Sequence, residues 1–190
     1  MRIIALLGLL LTAAAARAAE APAWTLLPAA SAIAFTARQM QVPVKGVFEV
    51  FGGSIRFDPD NLAGSRVAIE IRLASARTRQ KDIDQQLGQP DWFDVAAYPL
   101  ARFEAASFLA KGGDRYEAIG QLSIRGNTRD LTLPFSLKIA EVGDKLRAEA
   151  KAEVELKRLD FGIGGGEWRA TNVVANEVQV AIAVVAERPR

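Results

Sequence analysis

The chain has 190 residues, of which 50% are hydrophobic and 24% are charged, as in ordinary globular proteins. It contains no cysteine and no histidine, which excludes disulfides, a lipidated cysteine anchor, thiolate or imidazole metal ligands and a Ser-His-Asp triad. A domain of this size buries enough surface to be stable without cross-links.

The first 18 residues have the pattern of a secretory signal peptide. Met1-Arg2 gives a positive start, residues 3–16 are uncharged, and Ala16-Arg17-Ala18 is a cleavage site of the A-x-A type. The uncharged run is shorter than the roughly 20 residues that cross a bilayer. We expect cleavage after Ala18 and a periplasmic mature protein of residues 19–190, with an uncleaved membrane anchor as the alternative.

Cleavage at this site changes the net charge of the protein. Residues 1–18 carry Arg2 and Arg17 and no acid, so the remaining chain has 22 basic and 22 acidic residues. The isoelectric point of about 9.1 belongs to the uncleaved chain. It therefore does not indicate a nucleic-acid partner, and we expect none.

Alternation of apolar and polar residues dominates the rest of the chain. It is clearest over residues 67–73, 131–139 and 178–184, where every second residue is apolar. Turn-forming residues separate such runs. The pattern predicts one domain of about eight antiparallel strands, which either close as a barrel or stack as a sandwich.

One short helix is predicted over residues 78–87, because Ile83 and Leu87 share a face and Gly88 is a stop signal. The charged residues around it suit solvated faces and turn caps better than lipid head groups or acid–base catalysis. The glycine run at 162–166 lacks the following helix of a phosphate-binding loop, which favours a turn or bulge at a barrel rim.

Aromatic residues in or beside the strands have two interpretations. A closed eight-stranded barrel can hold one slender ligand, and these side chains either fill its core or line an apolar tunnel. Periodicity does not separate the two. Arg158 also has two interpretations. It either binds a phosphate or carbonyl head group at a barrel mouth, or it pairs with residues of other strands.

Five segments, in this order, resemble the YceI-like family of polyisoprenoid-binding proteins, and the resemblance extends over residues 24–186. The segments are Phe51-x-Gly53-x-Ile55-x-Phe57-Asp58-Pro59, then Asp84-Gln85-Gln86-Leu87, then Asp91-Trp92-Phe93-Asp94-Val95 with Tyr98-Pro99 and Phe103, then residues 120–134, and finally residues 158–163 with Glu167-Trp168 and a strand from Val178. One departure is Gln86, where many relatives carry histidine.

The resemblance implies an all-β protein, an extended lipocalin-like eight-stranded antiparallel β-barrel with one short helix. It implies an apolar tunnel that holds a polyisoprenoid, an isoprenoid quinone tail, or a fatty amide or acid. Family members are often periplasmic, and some are paired with membrane b-type cytochromes, so transient contact with a membrane or such a cytochrome is expected. Whether the protein forms a homodimer stays open here.

We predict a ligand-binding set from one inward face of each strand and from two rim segments. The rim residues Trp92, Phe93 and Trp168 are expected to form a gate. The complete set is Phe35, Phe48, Phe57, Ile69, Ile71, Trp92, Phe93, Phe103, Leu122, Leu133, Arg158, Phe161 and Trp168.

Three functions are compatible with the sequence. The first is a periplasmic carrier of a long-chain isoprenoid lipid, and it is the one the family resemblance favours. The second is a lipid-modifying enzyme, which we do not expect because no spaced pair of catalytic groups stands out. The third is an assembly protein with a filled core that binds a protein partner. We expect no cofactor and no metal.

Overall fold

The computed structural model describes residues 19–190. The predicted signal peptide, residues 1–18, lies outside the described residues. In the part of the chain that the structure describes, eleven strands and one α-helix are present. The strands are β1 (Ala23–Leu26), β2 (Ala32–Gln39), β3 (Val42–Phe48), β4 (Phe51–Arg56), β5 (Arg66–Arg72), β6 (Ala76–Arg77), β7 (Leu100–Ala110), β8 (Arg115–Ile124), β9 (Asn127–Val142), β10 (Lys145–Lys157) and β11 (Glu177–Pro189).

These strands form one closed antiparallel barrel. β1 and β2 both pair with β11 and act as one interrupted strand. The next position is likewise an interrupted strand, because β3 pairs with β2 and β4 pairs with β1. The third position consists of β6, which pairs with β3, and β5, which pairs with β4. The ring then runs through β7, β8, β9 and β10 to β11, which gives eight strand positions. The predicted eight-stranded barrel is therefore confirmed, and the sandwich alternative is excluded.

Short turns explain why neighbouring strands are antiparallel. Arg125 and Gly126 join β8 to β9 with positive φ angles, which is the conformation that two-residue hairpins prefer. Met40 and Gln41 join β2 to β3 in the same way, with φ of 48° and 67°. Residue type does not indicate this turn, because neither methionine nor glutamine is a usual turn former.

The helix α1 (Lys81–Leu87) is shorter than predicted. It ends before Gly88 as expected, but it begins three residues later than residue 78. Arg79 has a left-handed φ of 67°, which is incompatible with an α-helix. Thr78 instead donates its backbone N–H and its hydroxyl to Asp84 Oδ1, at 2.7 and 2.6 Å.

Alternation along the strands places one apolar face inside the barrel. The buried core includes Phe57, Phe103, Phe108 and Leu122, whereas charged residues such as Arg102 and Glu104 alternate with them on the outside. Among residues 19–190, no helix is both long enough and apolar enough to cross a membrane.

Candidate functional site

The inside of the barrel contains an elongated cavity of about 220 Å³. Within the described chain, its walls come from every strand except β6, together with Phe57, Leu73 and Phe93 from the connecting segments. All of these lining residues but one are apolar. The exception is Lys151, an exposed residue that pairs with Ala183 and Ser136 between the inward positions of β10. Its side chain therefore points outward, and the cavity lining has no inward-pointing ionised group among residues 19–190.

The cavity is long for its volume. Five inward residues of β9, from Leu131 to Ile139, line it. Eight residue steps along a strand span about 26 Å, or about 20 Å along the axis of a barrel with tilted strands. A volume of about 220 Å³ spread over this length makes the cavity narrow. Such a shape suits a slender apolar chain better than a fused ring system.

Eight of the thirteen predicted site residues line this cavity. They are Phe48, Phe57, Ile69, Ile71, Phe93, Phe103, Leu122 and Leu133. The alternation in the sequence therefore gives the inner face on β3, β5, β7, β8 and β9, and at Phe57 directly after β4. Contact of these side chains with a ligand remains a prediction.

The sequence analysis missed an alanine wall on β10. Ala148, Ala150 and Ala152 line the cavity beside Val154 and Leu156. Alanine is weakly hydrophobic, so it gives a poor signal by itself. A signal was nevertheless present, because charged residues occupy every second position from Arg147 to Lys157. These small side chains leave the space that larger residues on β10 would fill.

Two segments, which we call the cap, cover one end of the barrel. This is the end that contains the β2–β3 turn and the last residues of β10. The cap comprises residues 78–99, which include α1, and residues 158–176. Trp92 of one segment and Trp168 of the other lie with ring centroids 5.7 Å apart. The structure thus brings together the two predicted rim segments, and gating by them remains a prediction.

Phe35, Trp92 and Trp168 border a second, smaller cavity of about 60 Å³ rather than the main one. Phe35 turns its ring over Gly46, where a Cβ atom would lie only 2.3 Å from the ring. Trp92 Nε1 is buried there and has no hydrogen-bond partner among residues 19–190. These three residues therefore belong to the underside of the cap.

Arg158 holds the cap together and is not placed to bind a head group. It is 3% exposed, and its five N–H groups donate to five backbone carbonyls at 2.7–3.0 Å. The acceptors are Ile163, Gly164, Trp168, Val174 and Ala175. The predicted head-group contact is wrong for this residue because every donor is already used.

The charge of Arg158 is balanced by carbonyl dipoles rather than by an acid. Within residues 19–190, it forms no salt bridge. Burial lowers the pKa of its guanidinium from the ordinary arginine value by removing it from water. The five carbonyl oxygens offset this cost and fix residues 163–175 as one unit.

Phe161 also differs from its predicted role. It is 4% exposed and packs in the core, but it does not line the main cavity. Its carbonyl accepts a hydrogen bond from Asn127 Nδ2 at 3.1 Å. Arg125 donates to the carbonyls of Gly162 and Pro90, which ties both cap segments to the β8–β9 turn. Phe161 therefore anchors the cap to the barrel.

The geometry shows what the barrel can hold. An antiparallel eight-stranded β-barrel around a long apolar cavity has the shape to enclose one small or slender hydrophobic ligand. Within residues 19–190, no cluster of three or more Asp or Glu residues is arranged to hold a metal ion.

Comparison with known proteins supplies the family. The YceI-like domain pattern matches residues 24–186, and the chain belongs to this family. Protein YceI of Escherichia coli O157:H7 is 34% identical over 122 residues. A UPF0312 protein of Photorhabdus laumondii is 32% identical over 120 residues. Each alignment covers 61–62% of this chain and 62% of the relative's own length.

Solved structures give the same fold. The crystal structure of Burkholderia cenocepacia BcnA superposes with a TM-score of 0.75 at 32% identity, covering 84% of this chain and 98% of BcnA. A YceI protein of Campylobacter jejuni gives 0.70 at 25% identity, with 77% and 86% covered. A polyisoprenoid-binding domain from Saccharophagus degradans gives 0.69 at 16% identity, with 87% and 98% covered, and shares the fold.

Proposed function

We propose that this protein is a periplasmic carrier of an isoprenoid lipid, such as a polyprenyl chain or an isoprenoid quinone, held in the barrel cavity. The observation that carries the proposal is the long cavity whose lining, within residues 19–190, is apolar apart from the outward Lys151. The resemblance to a polyisoprenoid-binding domain supports the class of ligand. The signal-peptide pattern of residues 1–18 supports export to the periplasm.

The lining suits binding better than chemistry. Catalysis on a lipid needs a positioned acid, base or nucleophile beside the reacting atom. Apart from the outward Lys151, the side chains that line the main cavity are hydrocarbon, or in Trp24 an indole whose Nε1 donates to the carbonyl of Phe57. The family resemblance likewise supports binding. We therefore propose that the ligand leaves the protein chemically unchanged.

The energetics of the tail indicate how the ligand is exchanged. A prenyl tail of 40 carbons gains about 30 kcal/mol on leaving water, at roughly 0.8 kcal/mol per carbon. Binding free energies of protein complexes do not exceed about 20 kcal/mol in magnitude, so chain ordering and incomplete burial must offset part of this gain. In a bilayer the tail is already out of water. For the carbons that the cavity encloses, transfer from membrane to barrel is then close to neutral, and we propose that exchange occurs during contact with a membrane or a membrane protein.

Mass spectrometry of the protein purified from its own host tests the carrier role. Native spectra are compared with organic extracts of the same sample. The proposal predicts a stoichiometric prenyl lipid. Protein that is empty and also rejects added prenyl lipids would contradict it and would favour the assembly protein with a filled core.

Vesicle transfer tests the exchange route. Protein loaded with a fluorescent prenyl lipid is mixed with increasing amounts of acceptor vesicles. Transfer during contact predicts a rate that rises with vesicle concentration. A rate independent of vesicle concentration would mean that the lipid first dissociates into water.

A further inference from the structure

Within residues 19–190, the barrel wall has an incomplete seam between β9 and β10. Their backbone ladder stops at the pair Phe135–Ala152. Beyond it, residues 127–134 of β9 pair only with β8, and residues 153–157 of β10 pair only with β11. The next residue in register is Pro134, which has no N–H to donate. We call residues 127–134 and 153–157 the open seam.

The open seam leads into the main cavity. Leu131 and Leu133 on one side and Val154 and Leu156 on the other all line it, and all four are partly exposed. Cavity residues of the fully paired wall are partly exposed as well, as at Ile69 and Val180, so the gap in the backbone ladder and not the exposure of these four residues marks the seam. The short helix Arg158–Phe161 packs against β9 at the cap end of the seam. Leu131 and Leu133 lie further along β9 from the cap than Arg129 does.

Arg129 occupies an unusual position at this seam. Its cross-strand partner is Leu122, which is buried and lines the cavity, so Arg129 lies on the inner face of β9. Arg129 is nevertheless exposed. No β10 residue is paired beside Arg129, which leaves room for this inner-face side chain to reach water.

The guanidinium of Arg129 keeps donors available. Nη1 donates to the carbonyl of Thr128 at 2.8 Å. Within the described chain, no carboxylate lies at salt-bridge distance from it. Leu131 and Leu133 follow on the same face at steps of about 7 Å. A cation with unused donors therefore stands at the border between water and the apolar cavity.

We propose that the open seam is the mouth of the cavity and that Arg129 there binds the anionic head group, a phosphate or a carboxylate, of an amphiphile. The tail of this amphiphile lies in the main cavity, so the inference rests on the proposed lipid-binding function. Arginine pairs with phosphate and carboxylate through parallel hydrogen bonds. The head group stays at the water boundary, where its charge costs little, while the first carbons meet Leu131.

Two probes with the same tail test the head-group contact. Farnesyl phosphate and farnesol are titrated into delipidated mature protein, the Arg129→Leu variant and an Arg72→Leu control. Arg72 is an exposed strand arginine on the outer face, next to the cavity residue Ile71. Arg129→Leu should weaken farnesyl phosphate about tenfold or more and farnesol less than twofold. Arg72→Leu should change neither affinity.

A cross-link tests the mouth. The chain has no cysteine, so a maleimide reagent will react only with the cysteines that are introduced. A short bis-maleimide joins Thr132→Cys to Glu155→Cys across the open seam. The control joins Glu153→Cys to Ala181→Cys, which are paired in the intact β10–β11 ladder. The seam cross-link should slow farnesol loading at least about tenfold, whereas the control should not. Equal loading rates would overturn the assignment of the mouth.

The remaining outcomes separate this inference from the proposed function. If neither probe binds the wild-type protein, the lipid-binding function itself fails. If both bind and Arg129→Leu affects neither, lipid binding stands and the role of Arg129 fails. If Trp92→Phe, and not Arg129→Leu, weakens farnesyl phosphate, the head group lies under the cap. If inorganic phosphate binds Arg129 as tightly as farnesyl phosphate does, the site is one for free anions and is independent of the tail.

Discussion

The two ends of the barrel are closed by different kinds of interaction. At the cap end, one buried cation, Arg158, gathers five backbone carbonyls. At the opposite end, four rings pack together with centroids 5.3–5.9 Å apart. The rings are Phe57, Phe108, Tyr116 and Phe135. We call this group the aromatic end.

The difference predicts how each end responds to damage. Hydrogen bonds to a buried charge depend on direction and share one donor group, so losing that group leaves several carbonyls unsatisfied at once. Ring contacts are shared among several partners, and a smaller apolar side chain keeps part of them. The cap should therefore fail as a unit, whereas the aromatic end should weaken by degrees.

Removal of the Arg158 donors should have the largest effect. Arg158→Met keeps the unbranched stem but leaves five carbonyl groups without their partner. We expect a loss of about 3–5 kcal/mol in the free energy of unfolding, measured by urea denaturation. Arg147→Met, at a partly exposed strand residue, is the control and should change it by less than about 0.5 kcal/mol. A loss below about 1 kcal/mol for Arg158→Met would contradict the cap description.

Two neighbouring glycines sharpen the comparison at the cap. Gly164 has a φ of +76°, and a Cβ there would lie 2.2 Å from Arg158 Nη1. At Gly165 the nearest atom to such a Cβ, an Asp91 oxygen, is 3.8 Å away. Gly164→Ala should therefore cost about 2 kcal/mol of stability, and Gly165→Ala should cost less than about 0.5 kcal/mol. Equal melting curves for the two variants would be evidence against the contact with Arg158.

A smaller loss is expected at the aromatic end. Phe57 contacts three other rings, and Phe57→Leu removes part of each contact while keeping an apolar side chain. We expect about 1–2 kcal/mol of destabilisation in the same urea assay. Because the ends share no partner, the losses in the Arg158→Met/Phe57→Leu double variant should add within about 0.5 kcal/mol. A clear departure from additivity would show that the two ends are coupled.

Sequence periodicity predicted the barrel wall well. Leu131 to Ile139 alternate with mostly polar residues, Val180 to Val184 alternate with alanines, and the structure places the larger apolar residues of both runs inside. Alternation reports the inner face directly because side chains of a strand point to opposite sides in turn. It works less well where the inner residues are alanines, as at Ala148, Ala150 and Ala152.

The contacts that hold the cap together could not be predicted from the alternation of apolar and polar residues. Its contacts join residues 158–176 to residues 90–91 and 125–127 through backbone carbonyls, which carry no sequence signal. Arg158 therefore resembled a head-group ligand until its acceptors were known. Left-handed residues such as Arg79 and Met40 were missed for a related reason, since tertiary contacts and not residue type impose their conformation.

Blocking the cavity tests the central claim most directly. Ala150 lies inside, paired with the inward residues Leu137 and Val184, whereas its neighbour Lys151 points outward. Native mass spectrometry with an added prenyl alcohol compares the wild type, Ala150→Phe and the control Lys151→Phe. The account predicts bound lipid in the wild type and in Lys151→Phe, and at least about a hundredfold weaker binding in Ala150→Phe. Unchanged lipid binding by a folded Ala150→Phe protein would contradict it.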